Sequence, residues 1–492
     1  MRDTERLGTE RIGRLLVEFS IPAIISMVFN SLYNVVDTAF LGQAVGDAGV
    51  AVTTLALPVM TILMGFSMLA GQGGNALAAI QLGEGRKDQV ERTLGNSAVL
   101  LVGVAVLVAL AALVLIDPLL ALIATPVNLW EPTKAFVQII CFGFVFQSVG
   151  MGLNNFLRTA GKPNLALVTM VTGTLMCIVF NYLFVIVLGW GVEGSAFATI
   201  LGQACGMAPV VWYFAACKSA PFRLRLSCCV PDARLMGRIL VLGIASFVMQ
   251  VASTVVSIVL NHVINVYGAQ DPMGVQGALA AVGVAQKAAM FAIMPLIGLI
   301  MGAQPIIGFN FGAKLWHRVL ATLKWASVCG VGIGVLFFAV AHLIPEPIVA
   351  LFGVTGELEG FAVWALKVYT ILFPLVGFQI VGSSYFQSSG QPFKAAVLEL
   401  TRQVLFLIPL YLLLPGVLAT AFGLTGMQGV VICVPVADGL SVLVTGAFVL
   451  REVSKLRRLR AEAGQVAGGK AACAALAQTK AVVEPANASS QG

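Results

Sequence analysis

Long apolar stretches follow one another along almost the whole sequence, separated by short polar segments. A helix of about 20 apolar residues is enough to cross the roughly 30 Å hydrocarbon core of a bilayer. The pattern therefore predicts an all-α membrane protein with twelve transmembrane helices. Their predicted ranges are 15–42, 50–82, 94–116, 133–157, 164–188, 193–217, 236–266, 277–311, 322–344, 361–387, 393–414 and 427–450.

The composition supports a membrane-embedded chain. Of the 492 residues, 59% are hydrophobic and 10% are charged, whereas soluble domains carry about 25% charged residues. The first apolar stretch has no small-residue cleavage site after a short core, so we interpret it as a span and not as a signal peptide. Proline residues such as Pro22 fall inside spans, where a bundle tolerates them because neighbouring groups bond the freed carbonyls.

Lysine and arginine residues concentrate in the loops on one side of the predicted membrane. Of the 29 Lys and Arg residues, 25 fall on the side of the two termini, and only Lys134 and Lys367 fall on the other. Basic loops remain in the cytoplasm, so we predict a multi-pass protein of the bacterial inner membrane with both termini cytoplasmic. The net charge of +7 then reflects topology, and we expect no nucleic-acid partner.

The two halves of the chain repeat one another. Gly83 and Gly312 are 229 residues apart, and the same separation relates 158–163 to 387–392. The separation changes only in loops opposite the termini, which indicates duplication and not chance. Six spans per half preserve orientation, so we predict two six-helix bundles related by a pseudo-twofold axis along the membrane normal, with a shared cavity between them.

The repeat also predicts the division of the chain. We expect an N-terminal six-helix lobe at 1–217, a cytoplasmic connecting loop at 218–238 and a C-terminal six-helix lobe at 239–460. Residues 461–492 are rich in Ala, Gly, Gln and Ser. Such a segment buries too little apolar surface to become ordered, so we predict a disordered cytoplasmic tail.

Polar residues without a counterpart in the other half are the strongest candidates for function. Asn30, Tyr33, Asn34 and Asp37 follow helical spacing along one stripe of the first span. In the first span the repeat separation is 222 residues, as between Gly46 and Gly268, and Val259 is therefore aligned with Asp37. An acid inside a span costs about 2.5–3.5 kcal/mol on insertion scales and by default marks an ion or proton pathway. The alternative is a structural carboxylate that neighbouring hydroxyls and amides satisfy.

The second half carries its own intramembrane charges. Glu399 and Arg402 lie three residues apart on the eleventh span. Their simplest interpretation is a mutual ion pair, and the alternative is a role in the cavity. Asp438, three residues after Pro435, either caps a broken helix or faces the cavity. Lys287 either snorkels towards the interface or neutralises a carboxylate.

Several short segments combine proline, glycine and polar residues within or beside the spans. They are Ile21-Pro22, Leu32 to Thr38, Arg158 to Pro163, Gly302 to Lys314, and Leu400 to Gln403 before Ile408-Pro409. Over roughly residues 10–455, the chain resembles the multidrug and toxic compound extrusion (MATE) family, in its bacterial drug-export branch. The resemblance implies two lobes that rock between inward-open and outward-open states, while Na⁺ or H⁺ entry drives export of organic cations.

The resemblance also implies roles for particular residues. Many bacterial members carry an Asn on the fifth helix, an Asp four residues later and a Thr on the sixth helix. Asn181 and Thr199 match this pattern, whereas Val185 stands at the position of the acid. The missing acid favours protons over Na⁺, whose possible site is Asp37, Asn181 and Thr199. We therefore expect the residues that couple transport to H⁺ or Na⁺ to be Asp37, Asn34, Tyr33, Asn181 and Thr199.

Further expectations concern the helix that bends and the substrate. The resemblance makes Asp37 a charge switch and Pro22 the hinge of the first helix. In a second branch the seventh helix carries an acid, which the stretch from Ser246 to Ser253 lacks. Gln250 in that stretch is a candidate substrate contact. We place Gln250, Lys287, Glu399, Arg402 and Asp438 in the substrate cavity.

The function predicted from the sequence is secondary antiport of small organic cations, by a monomer that needs no cofactor and catalyses no reaction. One alternative is a flippase for lipid-linked oligosaccharides, which shares the two-lobe architecture. The few cationic residues in the spans argue against a site for its pyrophosphate. A channel or membrane enzyme is a second alternative. The sequence lacks repeated polar rings and concentrated clusters of metal ligands, which argues against both.

Overall fold

The computed structural model describes residues 2–123, 125–218, 220–352 and 356–488. The described chain is helical along nearly its whole length. The helices of the first half are α1 (Arg2–Thr9), α2 (Ile12–Ala44), α3 (Asp47–Gly83), α4 (Lys87–Val114), α5 (Ile116–Leu122), α6 (Trp130–Thr159), α7 (Pro163–Asn181) and α8 (Gly191–Ala216). We call this half the N-lobe.

The second half, the C-lobe, repeats the order of the first. Its helices are α9 (Ala233–Gly268), α10 (Gly274–Gly312), α11 (Trp316–Leu343), α12 (Pro345–Leu351), α13 (Glu357–Thr370), α14 (Phe373–Ser388), α15 (Pro392–Leu400), α16 (Ile408–Phe422) and α17 (Gly426–Ala488). A π-helix extends α7 over Tyr182–Val187, and another joins α15 to α16 over Thr401–Leu407.

The prediction of twelve membrane-spanning helices is confirmed, with one span bent. Eleven helical segments of the described chain are long and apolar enough to cross a membrane, and a bent pair supplies the twelfth. The bend of 44° separates Leu358–Thr370 from Phe373–Ser388, where we predicted one span over 361–387. Pro374 explains the break, because proline lacks the N–H of a helix interior and disfavours helical conformation in the preceding residue.

The two lobes meet through a crossed pair of helix contacts. The first membrane span of the N-lobe, α2, packs on α10 of the C-lobe, and α3 packs on α9. Gly73 lies against the backbone of Ile239 and Gly243, and Gly302 lies against Ser20. Gly73 and Gly302 are repeat counterparts, and neither position has room for a Cβ. The pseudo-twofold predicted from the sequence is therefore visible in the packing between the lobes.

A short segment before the first span attaches the N-lobe to the C-lobe. Leu7 of α1 is fully buried. Arg318 Nη2 donates to the carbonyl oxygens of Leu7 (3.0 Å) and Glu10 (2.7 Å), while Asn310 Nδ2 donates to Leu7 O (2.9 Å). The guanidinium thus satisfies carbonyls near the end of α1, which the helix itself leaves without donors. We call this contact the N-terminal strap.

The segment before α9 makes the reciprocal attachment. Asn96 of α4 donates to the carbonyl oxygens of Cys228 (3.4 Å) and Val230 (3.3 Å) and accepts from the N–H of Asp232 (2.9 Å). Asp232 in turn caps α9, since its carboxylate accepts from the N–H groups of Arg234 and Leu235. Each lobe therefore holds the lead-in segment of the other lobe's first helix.

Disorder of the C-terminal tail at 461–492 stays a prediction. The backbone of α17 remains helical through Ala488. Its sequence beyond residue 460 is rich in alanine, the residue with the highest helix propensity. Composition that is too weakly apolar for a packed core can still form a helix.

The N-terminal strap leads to a prediction about local stability. Replacing Arg318 by Ala leaves the Glu10 carbonyl without its donor, while Leu7 O keeps the donor from Asn310, and an unsatisfied buried group costs about 1–3 kcal/mol. We expect amide hydrogen exchange in α1 to accelerate by about tenfold or more, since 1.4 kcal/mol corresponds to a factor of ten. The control is Arg14→Ala, which removes an exposed ion pair with Glu10. Equal exchange in both variants would contradict the assigned role of Arg318.

Candidate functional site

Asp37 lies in α2 and is held by groups from the fifth and sixth spans of the N-lobe. Ser195 Oγ of α8 donates to Asp37 Oδ1 at 2.8 Å. The amide of Asn181 faces the same carboxylate, although neither of its polar atoms forms a hydrogen bond of good geometry. Asn181 is 1% exposed. No described Lys, Arg or His forms an ion pair with Asp37, so its hydrogen-bonding neighbours are neutral.

A local change of helix type shapes this site. The π-helix Tyr182–Val187 begins directly after Asn181. Such wide turns occur often at functional sites, because they re-aim side chains along a span. Val185, at the position of the missing acid, is 2% exposed and packs in an apolar cluster with Leu41 and Val192. The structure thus places a buried valine within an apolar cluster at this position.

Thr199 lies one helical turn after Ser195 on α8, so both hydroxyl side chains share one face. Thr199 is buried, and its backbone carbonyl accepts from Cys177 Sγ at 3.7 Å. The side chains of Tyr33 and Asn34, which we predicted beside Asp37, lie outside the described residues. The structure therefore groups Asp37, Asn181 and Ser195, with Thr199 on the adjoining turn.

The predicted ion pair between Glu399 and Arg402 is wrong. Arg402 Nε instead donates to Asp438 Oδ1 of α17 at 2.7 Å. The side chain of Asp438 is 2% exposed and that of Arg402 is 21% exposed. The π-helix that begins at Thr401 changes the helical spacing directly after Glu399, so an i, i+3 argument for a regular helix does not hold there.

Glu399 finds a neutral partner. Ser383 Oγ of α14 donates to Glu399 Oε1 at 2.6 Å. Among the described residues, Glu399 forms no ion pair within 4.0 Å. Glu399, Arg402 and Asp438 nevertheless remain electrostatic neighbours, together with Tyr369 of α13. We call these four residues with Ser383 the C-lobe cluster.

The remaining predicted residues lie apart from both groups. Gln250 of α9 packs against Gly65 of α3 at the contact between the lobes, one turn from the ring contact of Phe247 with Phe66 (4.8 Å between centroids). Lys287 of α10 is exposed, and no described carboxylate pairs with it.

Pro22 is buried within α2, which continues through it without a break. Ser26 Oγ donates to the carbonyl of Pro22 at 2.8 Å. The proline lies between Ser20 and Ile24, which contact Gly302 and Gly298 of α10. The candidate hinge is therefore located where the first span packs on the opposite lobe.

Sequence reasoning missed the two serines that hold the intramembrane acids. Ser195 has a signal that could have been used, because it precedes Thr199 by four residues and so shares its helical face. Ser383 has no such signal, since it meets Glu399 through the packing of α14 on α15. Serine is common in membrane spans for close helix packing, and its presence alone does not indicate a site.

The pairing of Arg402 with Asp438 predicts a coupled effect on stability. Removing one partner leaves a buried charge unpaired, which typically costs about 3–5 kcal/mol. We expect Arg402→Gln and Asp438→Asn each to destabilise the protein more than the double variant does, by thermal unfolding in detergent. The control cycle joins Arg402→Gln with Glu399→Gln and should show weaker coupling. Additive losses for Arg402 and Asp438 would contradict a pair that matters energetically.

Comparison with known proteins agrees with this architecture. The MatE family model matches residues 22–183 and 242–413, one block in each lobe. The multidrug export protein MepA of Staphylococcus haemolyticus (strain JCSC1435) is 24% identical over 420 residues, covering 85% of this chain and 89% of MepA. MepA of Staphylococcus aureus (strain MRSA252) is 23% identical over 432 residues, covering 87% and 92%.

Solved structures share the fold. A MOP superfamily transporter from Pyrococcus furiosus superposes with a TM-score of 0.85 at 21% identity, covering 92% of this chain and 98% of its own. A MATE transporter in the bent conformation gives a TM-score of 0.84 at 21% identity, with coverage of 94% and 99%. The family model spans well over half of the sequence and both lobes, so this chain is a member of the MatE family with the two-lobe fold of MATE transporters.

Proposed function

We propose that this protein is a secondary antiporter that exports organic cations or drug-like metabolites in exchange for protons. The observation that carries the proposal is Asp37, a carboxylate within the first span whose hydrogen-bonding partners are a serine hydroxyl and a facing amide. A carboxylate without a cationic partner can take up a proton or an ion and thereby change its charge. Relatives named as multidrug export proteins support the choice of substrate class.

The number of carboxylates at this site favours protons over Na⁺. Hard cations prefer several oxygen ligands with carboxylates among them, and Val185 leaves this site with one carboxylate. A proton needs only a single carboxylate oxygen. Asn181, Ser195 and Thr199 then act as neutral groups that hold Asp37 in position, and the substrate binds between the lobes near Gln250 and the C-lobe cluster.

Coupling follows from alternating access. Protonation of Asp37 removes a charge from α2, which also packs on α10 of the other lobe. A ligand shifts a conformational equilibrium only by its differential affinity for the two states. Loss of the charge on Asp37 supplies such a difference, with Pro22 as the bending point. We propose that the protein works as a monomer in the bacterial inner membrane, with both termini and the basic loops in the cytoplasm.

The central prediction concerns Asp37→Asn. The amide keeps the size of the side chain and can accept from Ser195, but it cannot change its charge. We expect coupled transport to be abolished while folding is retained. The measurement is ethidium uptake into inverted vesicles under separately imposed proton and Na⁺ gradients. Asp117→Asn is the matched control, since Asp117 is an exposed acid paired with Lys134.

Each outcome of this experiment has a definite meaning. Parental transport by Asp37→Asn along an imposed proton gradient would make Asp37 structural. Uptake by the parent under a Na⁺ gradient alone would replace protons with Na⁺. Failure of the parent under both gradients would overturn the proposed antiport.

A second prediction concerns the hydroxyl that holds Asp37. Ser195→Ala removes one hydrogen bond to a charged group, worth about 1.5–3 kcal/mol. We expect the initial rate of proton-driven uptake to fall by about tenfold, a milder loss than for Asp37→Asn. Ser195→Thr should restore the rate, and Ser257→Ala on the exposed face of α9 serves as the control. Equal rates for Ser195→Ala and the parent would remove Ser195 from the coupling site.

A further inference from the structure

The pairing of Arg402 leaves most of its guanidinium unused. Only Nε donates to Asp438 Oδ1, at 2.7 Å. The second oxygen of Asp438 is buried and has no hydrogen-bond partner, so the contact is not the bidentate fork that Arg and carboxylate groups commonly form. No other described residue accepts from Arg402. Its two terminal amino groups are therefore available to a ligand.

Arg402 is the more accessible member of its ion pair with Asp438. The side chain of Asp438 is 2% exposed, whereas that of Arg402 is 21% exposed. Asp438 fixes the charge and position of the guanidinium from behind, and the accessible part of Arg402 is left to make further contacts. A preorganised fork of this kind suits a planar anionic group such as a carboxylate.

Glu399 supplies the opposite charge beside it. Its Oε1 accepts from Ser383 at 2.6 Å, and within the described chain no cationic group lies within 4.0 Å of the carboxylate. Arg402 is close enough for an electrostatic interaction without a direct contact. The cluster therefore contains two groups that can bind a ligand. Arg402 has free hydrogen-bond donors, and Glu399 has a carboxylate without a direct ion pair.

We propose that the C-lobe cluster binds a zwitterionic substrate, whose carboxylate contacts the terminal amino groups of Arg402 and whose ammonium contacts Glu399. This inference rests on the proposed export function and names the substrate class of its second lobe. A simple anion would meet two carboxylates and one arginine, a net charge of −1. A simple cation would gain from Glu399 but would face the unpaired donors of Arg402. A zwitterion satisfies both groups, and buried polar groups left unpaired strongly penalise the wrong ligand.

Equilibrium binding of two matched ligands tests this proposal. The ligands are a fluorescent amphiphilic amino acid and its methyl ester, which keeps the ammonium and loses the carboxylate. We expect the parent protein in detergent to bind the zwitterion at least about tenfold more tightly than the ester. Arg402→Lys keeps the positive charge next to Asp438 but loses the fork. It should therefore weaken binding of the zwitterion more than binding of the ester and so abolish this preference.

Two further variants complete the design. Glu399→Gln should weaken both ligands, because both carry the ammonium. Arg451→Lys, an exposed basic residue of α17, should change neither. No preference in the parent, or equal loss of both ligands in Arg402→Lys, would overturn the proposal. Binding does not require an ion gradient, so this result is independent of the uptake experiment, in which failure under both gradients would overturn antiport instead.

Discussion

A charged side chain inside a lipid-embedded bundle must find polar partners within the protein, because the bilayer core offers none. The described chain solves this problem differently in its two lobes. The N-lobe keeps one acid, Asp37, with hydrogen-bonding neighbours that are neutral. The C-lobe places Arg402 against Asp438 and leaves Glu399 with a serine. An acid with neutral neighbours can change its charge at lower cost than one locked in an ion pair, which is why we assign proton coupling to the N-lobe.

Duplication explains why this division of labour is possible. The contacts of α2 with α10 and of α3 with α9 are equivalent under the repeat, and Gly73 at one crossing has Gly302 as its counterpart at the other. The lead-in segments before α2 and α9 likewise dock on the opposite lobe, although Arg318 and Asn96 occupy different repeat positions. The shared packing preserves the frame of two lobes. The polar residues inside each lobe can then diverge, because they do not take part in the contact between lobes.

The sequence was sufficient to predict the membrane spans but not the partners of the charged residues within them. Hydrophobic length, basic loops and the repeat predict the twelve spans, since lipid imposes these properties on every crossing segment. Helical spacing identified Asp37 but failed for Arg402, whose partner Asp438 is 36 residues away and belongs to another helix. The π-helices at Tyr182–Val187 and Thr401–Leu407 were also invisible to regular periodicity. The first begins directly after Asn181 and the second begins two residues after Glu399, so an argument from regular helical spacing fails at both positions.

The first span takes part both in the contact between the lobes and in the polar site of the N-lobe. Near its beginning, Ser20 and Ile24 pack on Gly302 and Gly298 of the C-lobe, and further along Asp37 bonds to Ser195 of the N-lobe. A helix held by both lobes cannot keep both attachments unchanged when the lobes move apart. If neutral Asp37 binds Ser195 less strongly than ionised Asp37, protonation loosens the outer attachment first, since hydrogen bonds to charged groups are the stronger ones. We propose that the strain of lobe movement then falls near Pro22, where the helix already lacks one backbone hydrogen bond.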